Sequence, residues 1–465
     1  MSQTATARDA DDFTAVRRRE FARLDRSGHV YLDYTGSALY PESLVRDHAA
    51  ALSEQVLGNP HSESPSSDRS TGLLADARRA VLDFFEADPS DYGVVFTANA
   101  SAAIKLVGES FPFTPRSALL LAADNHNSVN GLRAFAARRG ARVTTLPLDR
   151  DLRLAVAELP AAGPAPGLFA FPAQSNFSGV RHSLELVARA QTLGWRVLVD
   201  AAAFVPTHPL SLREVAPNFV ALSFYKMFGW PTGVGALIAR RAALAELERP
   251  WFAGGTVEYV SVQHGRHQFL QSVEAFEDGT PSFLAIAAVP RGLAFLDALG
   301  MERIRDRMAR LTVRLLDALP PFARVYGPRT GDARGATVAL NVLDREGRVL
   351  PYWEVERAAA RAGISVRGGC FCNPGAAEFA FDIDAERSRT CLDRLGPGTF
   401  TPETFGRCLG GPVGAVRVSL GVPATEADLD RLITFLHHCH EELHHDTDHI
   451  ARRGPRVASG RADTA

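Results

Sequence analysis

Two stretches decide the fold: Arg196-Val197-Leu198-Val199-Asp200 and Phe219-Val220-Ala221-Leu222-Ser223-Phe224-Tyr225-Lys226. Each is an apolar run closed by a polar side chain, which is how a strand buried on both faces of a parallel sheet reads. Similar runs at 94–97, 118–122, 142–146, 168–171 and 235–238 alternate with helix patterns such as Leu184, Val187, Ala188 and Ala190. That alternation predicts an α/β fold with a mostly parallel seven-stranded sheet flanked by helices. Near Gly300 the pattern changes to a long amphipathic stretch over 301–319 and an apolar run at 338–342, where a smaller α+β domain begins.

The chain has 465 residues, beyond the roughly 250–300 at which one hydrophobic core stops growing. The expected division is an N-terminal segment at 1–30 against the small domain, a large domain at 31–300, a small domain at 301–450 and a mobile tail at 451–465. The first ten residues are also expected to be mobile. With 46% hydrophobic and 22% charged residues, the composition is that of an ordinary globular protein. A net charge of −2 gives no electrostatic case for nucleic acid. No apolar run reaches the roughly 18–20 residues of a membrane span, and the polar start carries no signal-peptide core. Five cysteines, an odd and sparse number, predict free thiols in a reducing, cytoplasmic setting.

Of 51 lysines and arginines only two are lysine, Lys105 and Lys226. In open α/β sheets ligands sit at the carboxyl ends of strands, where Asp200 and Lys226 fall. A structural ion pair is the plainer reading of such a pair. Lysine, unlike arginine, can lose its proton and condense with an aldehyde, and a desolvated amine beside an aspartate suits pyridoxal phosphate. Thr97-Ala98-Asn99-Ala100-Ser101 follows a strand and opens a helix, offering backbone N–H groups to a phosphate or simply capping the helix. His126, just past another strand, could stack on a cofactor ring and move protons, or be structural. Lys105 reads as part of a solvated helix face.

In order along the chain stand 31–38 (Tyr-Leu-Asp-Tyr-Thr-Gly-Ser-Ala), Asn59-Pro60-His61, 223–233 around Lys226, Gly254-Gly255-Thr256, Glu277-Asp278-Gly279-Thr280 and Gly369-Cys370-Phe371-Cys372-Asn373-Pro374-Gly375. Over residues 31–435 the chain resembles class V, fold-type I pyridoxal phosphate enzymes, and within them the cysteine desulfurase-like domain of molybdenum cofactor sulfurases. The resemblance implies that Lys226 bonds the cofactor, Asp200 pairs with its pyridine nitrogen and His126 stacks on its ring. It implies phosphate ligands at Ala100, Ser101 and Ser223, Asn176 beside the phenolic oxygen, and Thr280 reaching a partner subunit's phosphate in a homodimer. Arg417 is implied to grip the substrate carboxylate, and Cys372, last in an Arg-x-Gly-x-x-Cys pattern that starts at Arg367, to carry sulfur as a persulfide.

Read alone, Cys370 and Cys372 could be half a zinc site or two small buried hydrophobes. The flanking Gly368-Gly369 and Asn373-Pro374-Gly375 instead describe a mobile loop with an available thiol. The C-terminal histidines, 437, 438, 440, 444, 445 and 449, read as a solvated helix rather than a metal site. Three features depart from the family pattern: Ala203 where many relatives have Gln, Tyr225 where many desulfurases have His, and Ala376-Ala377 where a third cysteine often follows. Only a short tail follows the desulfurase-like region, so the sulfurases' second domain is expected to be absent.

The resemblance therefore implies a cysteine desulfurase that converts L-cysteine to alanine and passes sulfur to an acceptor protein or cofactor. An aminotransferase, C–S lyase or epimerase would share the cofactor, and a sulfur-relay scaffold would share only the fold.

Overall fold

The computed structural model describes residues 3–443 apart from 157 and 397. Its main sheet has seven strands in the order Tyr92–Thr97, Gly235–Arg240, Phe219–Ser223, Trp195–Asp200, Gly167–Pro172, Ala118–Ala122 and Arg142–Leu146. All run parallel except Gly235–Arg240, which is antiparallel to both neighbours. Side chains alternate between two cores: Leu120, Phe169, Val197 and Val220 enter one, Leu119, Leu168, Leu198 and Ala221 the other. The Arg142 strand closes one edge and leaves four of its five side chains exposed.

Register places the catalytic candidates. Asp200 pairs with Ala221 and Ser223 with Gly235, so the Asp200 and Ser223 ends share one edge of the sheet. Gly235 is required there, because a Cβ would lie 2.6 Å from Asn99 Cα and from Leu222 O. The chain can approach this closely only without a side chain.

A second sheet, in the order Ala323–Tyr326, Thr337–Val342, Ala415–Ser419 and Arg367–Gly369, is antiparallel throughout. Val30–Tyr31 pairs in parallel with Ile364–Ser365, and Arg17 donates to Asp428 at 2.6 Å, so the first segment packs on the C-terminal part of the chain. The expected mobile start is instead helical from Gln3 to Glu20, continuous with Phe13 and Val16, which anchor it in the core. The helices Phe283–Leu299 and Met301–Ala318 meet at a 66° bend at Gly300, and no single helix among the described residues is long and apolar enough to span a membrane. The tail at 451–465 lies outside the described residues.

The cysteine expectation needs a correction. The helices Ala385–Leu395 and Pro402–Leu409 pair side by side, bringing Cys391 and Cys408 to a Cα separation of 5.9 Å, where they form a disulfide. Cys370, Cys372 and Cys439 are free.

Candidate active site

Lys226 sits on the short helix Phe224–Phe228, launched directly from the Phe219–Ser223 strand, so its position is fixed by buried sheet and by Phe224 and Met227 in the core. Burial pushes its ammonium below the ordinary lysine range, with Asp200 opposing that shift and the cations Arg417 and Arg367 adding to it. Asp200 is buried at the end of its strand, and its Oδ1 accepts the Ala202 N–H at 3.0 Å. Burial likewise lowers the His126 pKa, against the pull of Asp200. His126 Nδ1 accepts the Ser128 N–H at 3.1 Å, which leaves Nε2 to carry the proton of the neutral ring.

The phosphate candidates also converge. Ala100 N–H donates to Ser223 Oγ at 2.8 Å, and the Ser101 and Ser128 hydroxyls bond at 2.5 Å, at the start of the helix Ala100–Ser110 that Asn99 caps. The backbone amides of a helix N-terminus, two hydroxyls and a carboxylate at the neighbouring strand end are the donor and acceptor set that pyridoxal phosphate needs. Thr280 lies apart on the surface, accepting from Asn59 Nδ2 at 3.3 Å, while the His61 ring packs against Gly255. The 59–61, 254–256 and 277–280 motifs thus meet at one site, with Asn59, His61, Gly254 and Thr280 exposed and Pro60, Thr256 and Glu277 buried. Lys105 is solvated and pairs with Glu109 at 2.8 Å.

Cys372 is on a shorter and tighter element than the mobile loop expected from its glycines. Arg367–Gly369 ends in the sheet, Pro374–Ala380 is already helix, and the link between them is tied down. Asn127 N–H donates to Cys372 O at 2.7 Å, and Asn176 Nδ2 donates to Phe371 O at 2.7 Å. Phe371 and Cys372 both have left-handed backbones, with φ of 55° and 57°, which cost a non-glycine residue about 1–2 kcal/mol each. Those bonds hold the kink, and the Cys372 side chain stays exposed. Gly375 leaves room for Ala123 O, which seats the following helix against a strand end of the main sheet.

Sequence reasoning missed what holds this link. Asn373, fully buried, donates to Asp124 Oδ1 at 2.8 Å and to Asn176 Oδ1 at 3.0 Å, and its own Oδ1 caps the helix at Ala376 N–H. Asp124 also accepts from Ser175 Oγ and His182 Nε2, at 2.7 and 2.8 Å. Asn176 is therefore a strut of the cysteine link. Asp33 was missed as well: it accepts from Arg417 Nη2 at 3.0 Å and from Arg367 Nη2 at 2.6 Å. Arg417 is buried, donates through Nη1 to Asn176 O at 2.9 Å, lies 4.8 Å from the Phe371 ring centroid and has no partner for Nε. Its place in the Ala415–Ser419 strand, paired with Arg367, was the available signal. Where the family pattern has Gln, the Ala203 carbonyl accepts from Gln174 Nε2 at 2.9 Å.

The C-terminal histidines divide. His440 stacks on Phe322 at 4.0 Å and donates to Leu343 O at 2.7 Å, and His437 meets the same ring edge-on. His444, His445 and His449 lie outside the described residues, and no group of three metal-binding side chains occurs among the described ones.

A lysine and an aspartate at adjoining strand ends, with a phosphate cradle beside them, define a fold-type I pyridoxal phosphate enzyme. The aminotransferase class-V family model matches residues 30–432, and the chain belongs to that family. It is 35% identical to a molybdenum cofactor sulfurase from Arabidopsis thaliana over 90% of this chain and 57% of that protein. It is 34% identical to the human protein of the same name over 90% of this chain and 50% of that one. The chain therefore spans about half the length of the curated relatives it matches. Among solved structures, an apo cysteine desulfurase from Thermococcus onnurineus superposes with a TM-score of 0.77 at 23% identity, covering 92% of this chain and 98% of that one. An Escherichia coli cysteine desulfurase carrying an S-sulfonic acid gives 0.71 at 21%, with the same coverages.

Proposed function

We propose that this enzyme is a cysteine desulfurase: L-cysteine and the Cys372 thiol give L-alanine and a Cys372 persulfide, whose outer sulfur passes to an acceptor. The observation that carries this reading is the exposed Cys372 thiol, fastened through Asn127 beside His126 and held with Lys226 and Arg417 in one charged cluster.

Pyridoxal phosphate, when bound, supplies an aldehyde for amines and a ring that stores electrons; Asp200 would hold its pyridine nitrogen, and Ala100, Ser101 and Ser223 its phosphate. Arg417 orients the substrate carboxylate, Nε being the donor still free of a protein partner. Lys226 Nζ, less basic than an exposed lysine, takes the α-proton and returns a proton to the product carbon. His126 would stack on the cofactor ring, with Nε2 available to move a proton. Cys372 Sγ attacks the substrate sulfur: the S–S bond forms as the Cβ–S bond breaks, and the electron pair of the broken bond stays with the carbon fragment that becomes alanine. The left-handed link leaves the thiol exposed, as both attack and later delivery require.

A homodimer fits the Thr280 patch, where Trp251, Tyr259 and the almost fully exposed Val262 form an apolar surface around the Gly254-Gly255 turn. The acceptor to try first is the molybdenum cofactor in the relatives' name. A reducing cytoplasm would keep the Cys372 thiol available and would also expose the Cys391–Cys408 disulfide to reduction. The test is Cys372→Ala incubated with L-cysteine: the lysine-bound cofactor's absorbance should persist while alanine formation is lost, and normal turnover, or pyruvate as the product, would refute the reading.

A further inference from the structure

A small cavity of about 180 Å³ lies where the large domain meets the helix Met301–Ala318, away from the lysine and its phosphate cradle. Arg181, His208, Arg305, Asp306 and Arg334 line it together with main chain around Gly331 and Gly335. Asp306 is the only acid among them, and its carboxylate is taken up by Arg305 Nε at 2.8 Å. Three guanidinium groups against one carboxylate leave this cavity with an excess of positive charge.

Among the described residues, two of the arginines have no anionic partner. Arg334 is 3% exposed; its Nη1 and Nη2 donate to the Thr337 and Tyr326 carbonyls, at 3.3 and 2.7 Å, and its Nε has no partner. Arg181 also has a buried Nε without a partner. Main-chain bonds hold the two together: Arg181 N–H donates to Ala333 O at 2.8 Å, and Val180 bridges to Arg334. His208 is buried, shares a hydrogen bond with Thr207 Oγ1 at 3.0 Å and stacks on Phe204, so it adds a polar ring and no charge at neutral pH. Its pKa is pushed down to about 3, by burial first and then by Arg181 and Arg305. Buried like charges without a counter-charge are costly, and an anion between them offsets that cost.

We propose that this cavity binds one tetrahedral oxyanion, held between Arg181 and Arg334 with the more exposed Arg305 beside it. The ligand is inorganic phosphate or sulfate, or the terminal phosphate of a larger molecule. A drug-sized ligand needs roughly 300 Å³ or more, so only the phosphate end of such a molecule fits inside. Guanidinium forks match tetrahedral oxyanions bidentately, which lysine would not do as well. The site adjoins the catalytic region through one segment, since Gly335 N–H donates to Gly179 O at 2.7 Å and that chain leads back to Asn176.

The test is equilibrium dialysis of the enzyme saturated with pyridoxal phosphate against labelled inorganic phosphate, with sulfate, pyrophosphate and a nucleoside monophosphate as competitors. The expected result is one saturable site per chain with the cofactor absorbance unchanged, and affinity reduced roughly tenfold or more by Arg181→Gln, the loss of one charge-assisted contact. Binding of phosphate and sulfate alike identifies a free oxyanion. Binding of pyrophosphate or the nucleotide alone identifies a terminal phosphate, and either outcome supports the site. Arg334→Met should abolish binding; if it fails to fold, Arg181→Gln and Arg305→Gln, at less buried positions, carry the test. Absence of saturable binding by all four anions, or binding that Arg181→Gln leaves intact, overturns the proposal.

Discussion

The floor around Lys226 and the link around Cys372 hold their reactive atoms by opposite means. Lys226 is placed by strands with no exposed side, and that burial lowers the basicity of its amine. Cys372 is placed by a few hydrogen bonds from Asn127, Asn176 and Asn373 to a kinked backbone, and its thiol stays exposed. In the proposed function Lys226 would carry protons and needs a dry, fixed site, whereas Cys372 would carry sulfur and needs reach and a way out. One fold meets both needs by using packing for the first and local polar bonds for the second.

That contrast can be broken first at the amine. Lys226→Ala should remove the lysine-bound absorbance and lower alanine formation on the order of 10³–10⁴-fold, as expected for a lost general base. A variant that still turned over would place the chemistry elsewhere. Next, Arg417→Lys should raise KM for cysteine roughly 10–100-fold, because a point charge cannot replace a fork already shared with Asp33 and Asn176. A change confined to kcat would take the carboxylate away from Arg417.

On the other side of the comparison, Asn373→Ala should cost about 1–3 kcal/mol in denaturant unfolding, since it leaves Asp124 and Asn176 short of a buried donor and uncaps a helix. It should also slow sulfur transfer more than it alters the cofactor spectrum, and the reverse pattern would mean that the link does not hold the thiol. The smallest effect concerns pH. Burial lowers the His126 and Lys226 pKa values, so their neutral forms persist to lower pH than in water. The limb of kcat/KM that His126 sets should then fall below the ordinary histidine value of about 6.5, and a limb that moves with His126→Gln yet lies well above that value would contradict the neutral imidazole.

The strands at 118–122 and 219–223 were legible to the residue, because runs buried on both faces leave an unbroken apolar signature, whereas the edge strand at 142–146 matched its expected bounds although four of its five side chains are exposed. The antiparallel Gly235–Arg240 strand carries the same signature, so its direction was not legible. Lys226 and Asp200 showed through their positions at strand ends. Asn373, Asn176 and Asp33 did not show as struts, because their bonds span from 195 to 384 positions of sequence and leave no local pattern. The Cys391–Cys408 bond was hidden for a related reason: spacing alone did not reveal that two helices would lie side by side.

The central claim, that Cys372 receives sulfur from an amino acid activated over Lys226, is tested most directly by mass spectrometry. The intact enzyme is incubated with L-cysteine and then digested without reductant. The prediction is one added sulfur atom on the peptide carrying Cys372, absent from Lys226→Ala and abolished by reduction. A peptide that gains no sulfur while alanine accumulates, or sulfur found on Cys370 instead, would contradict it.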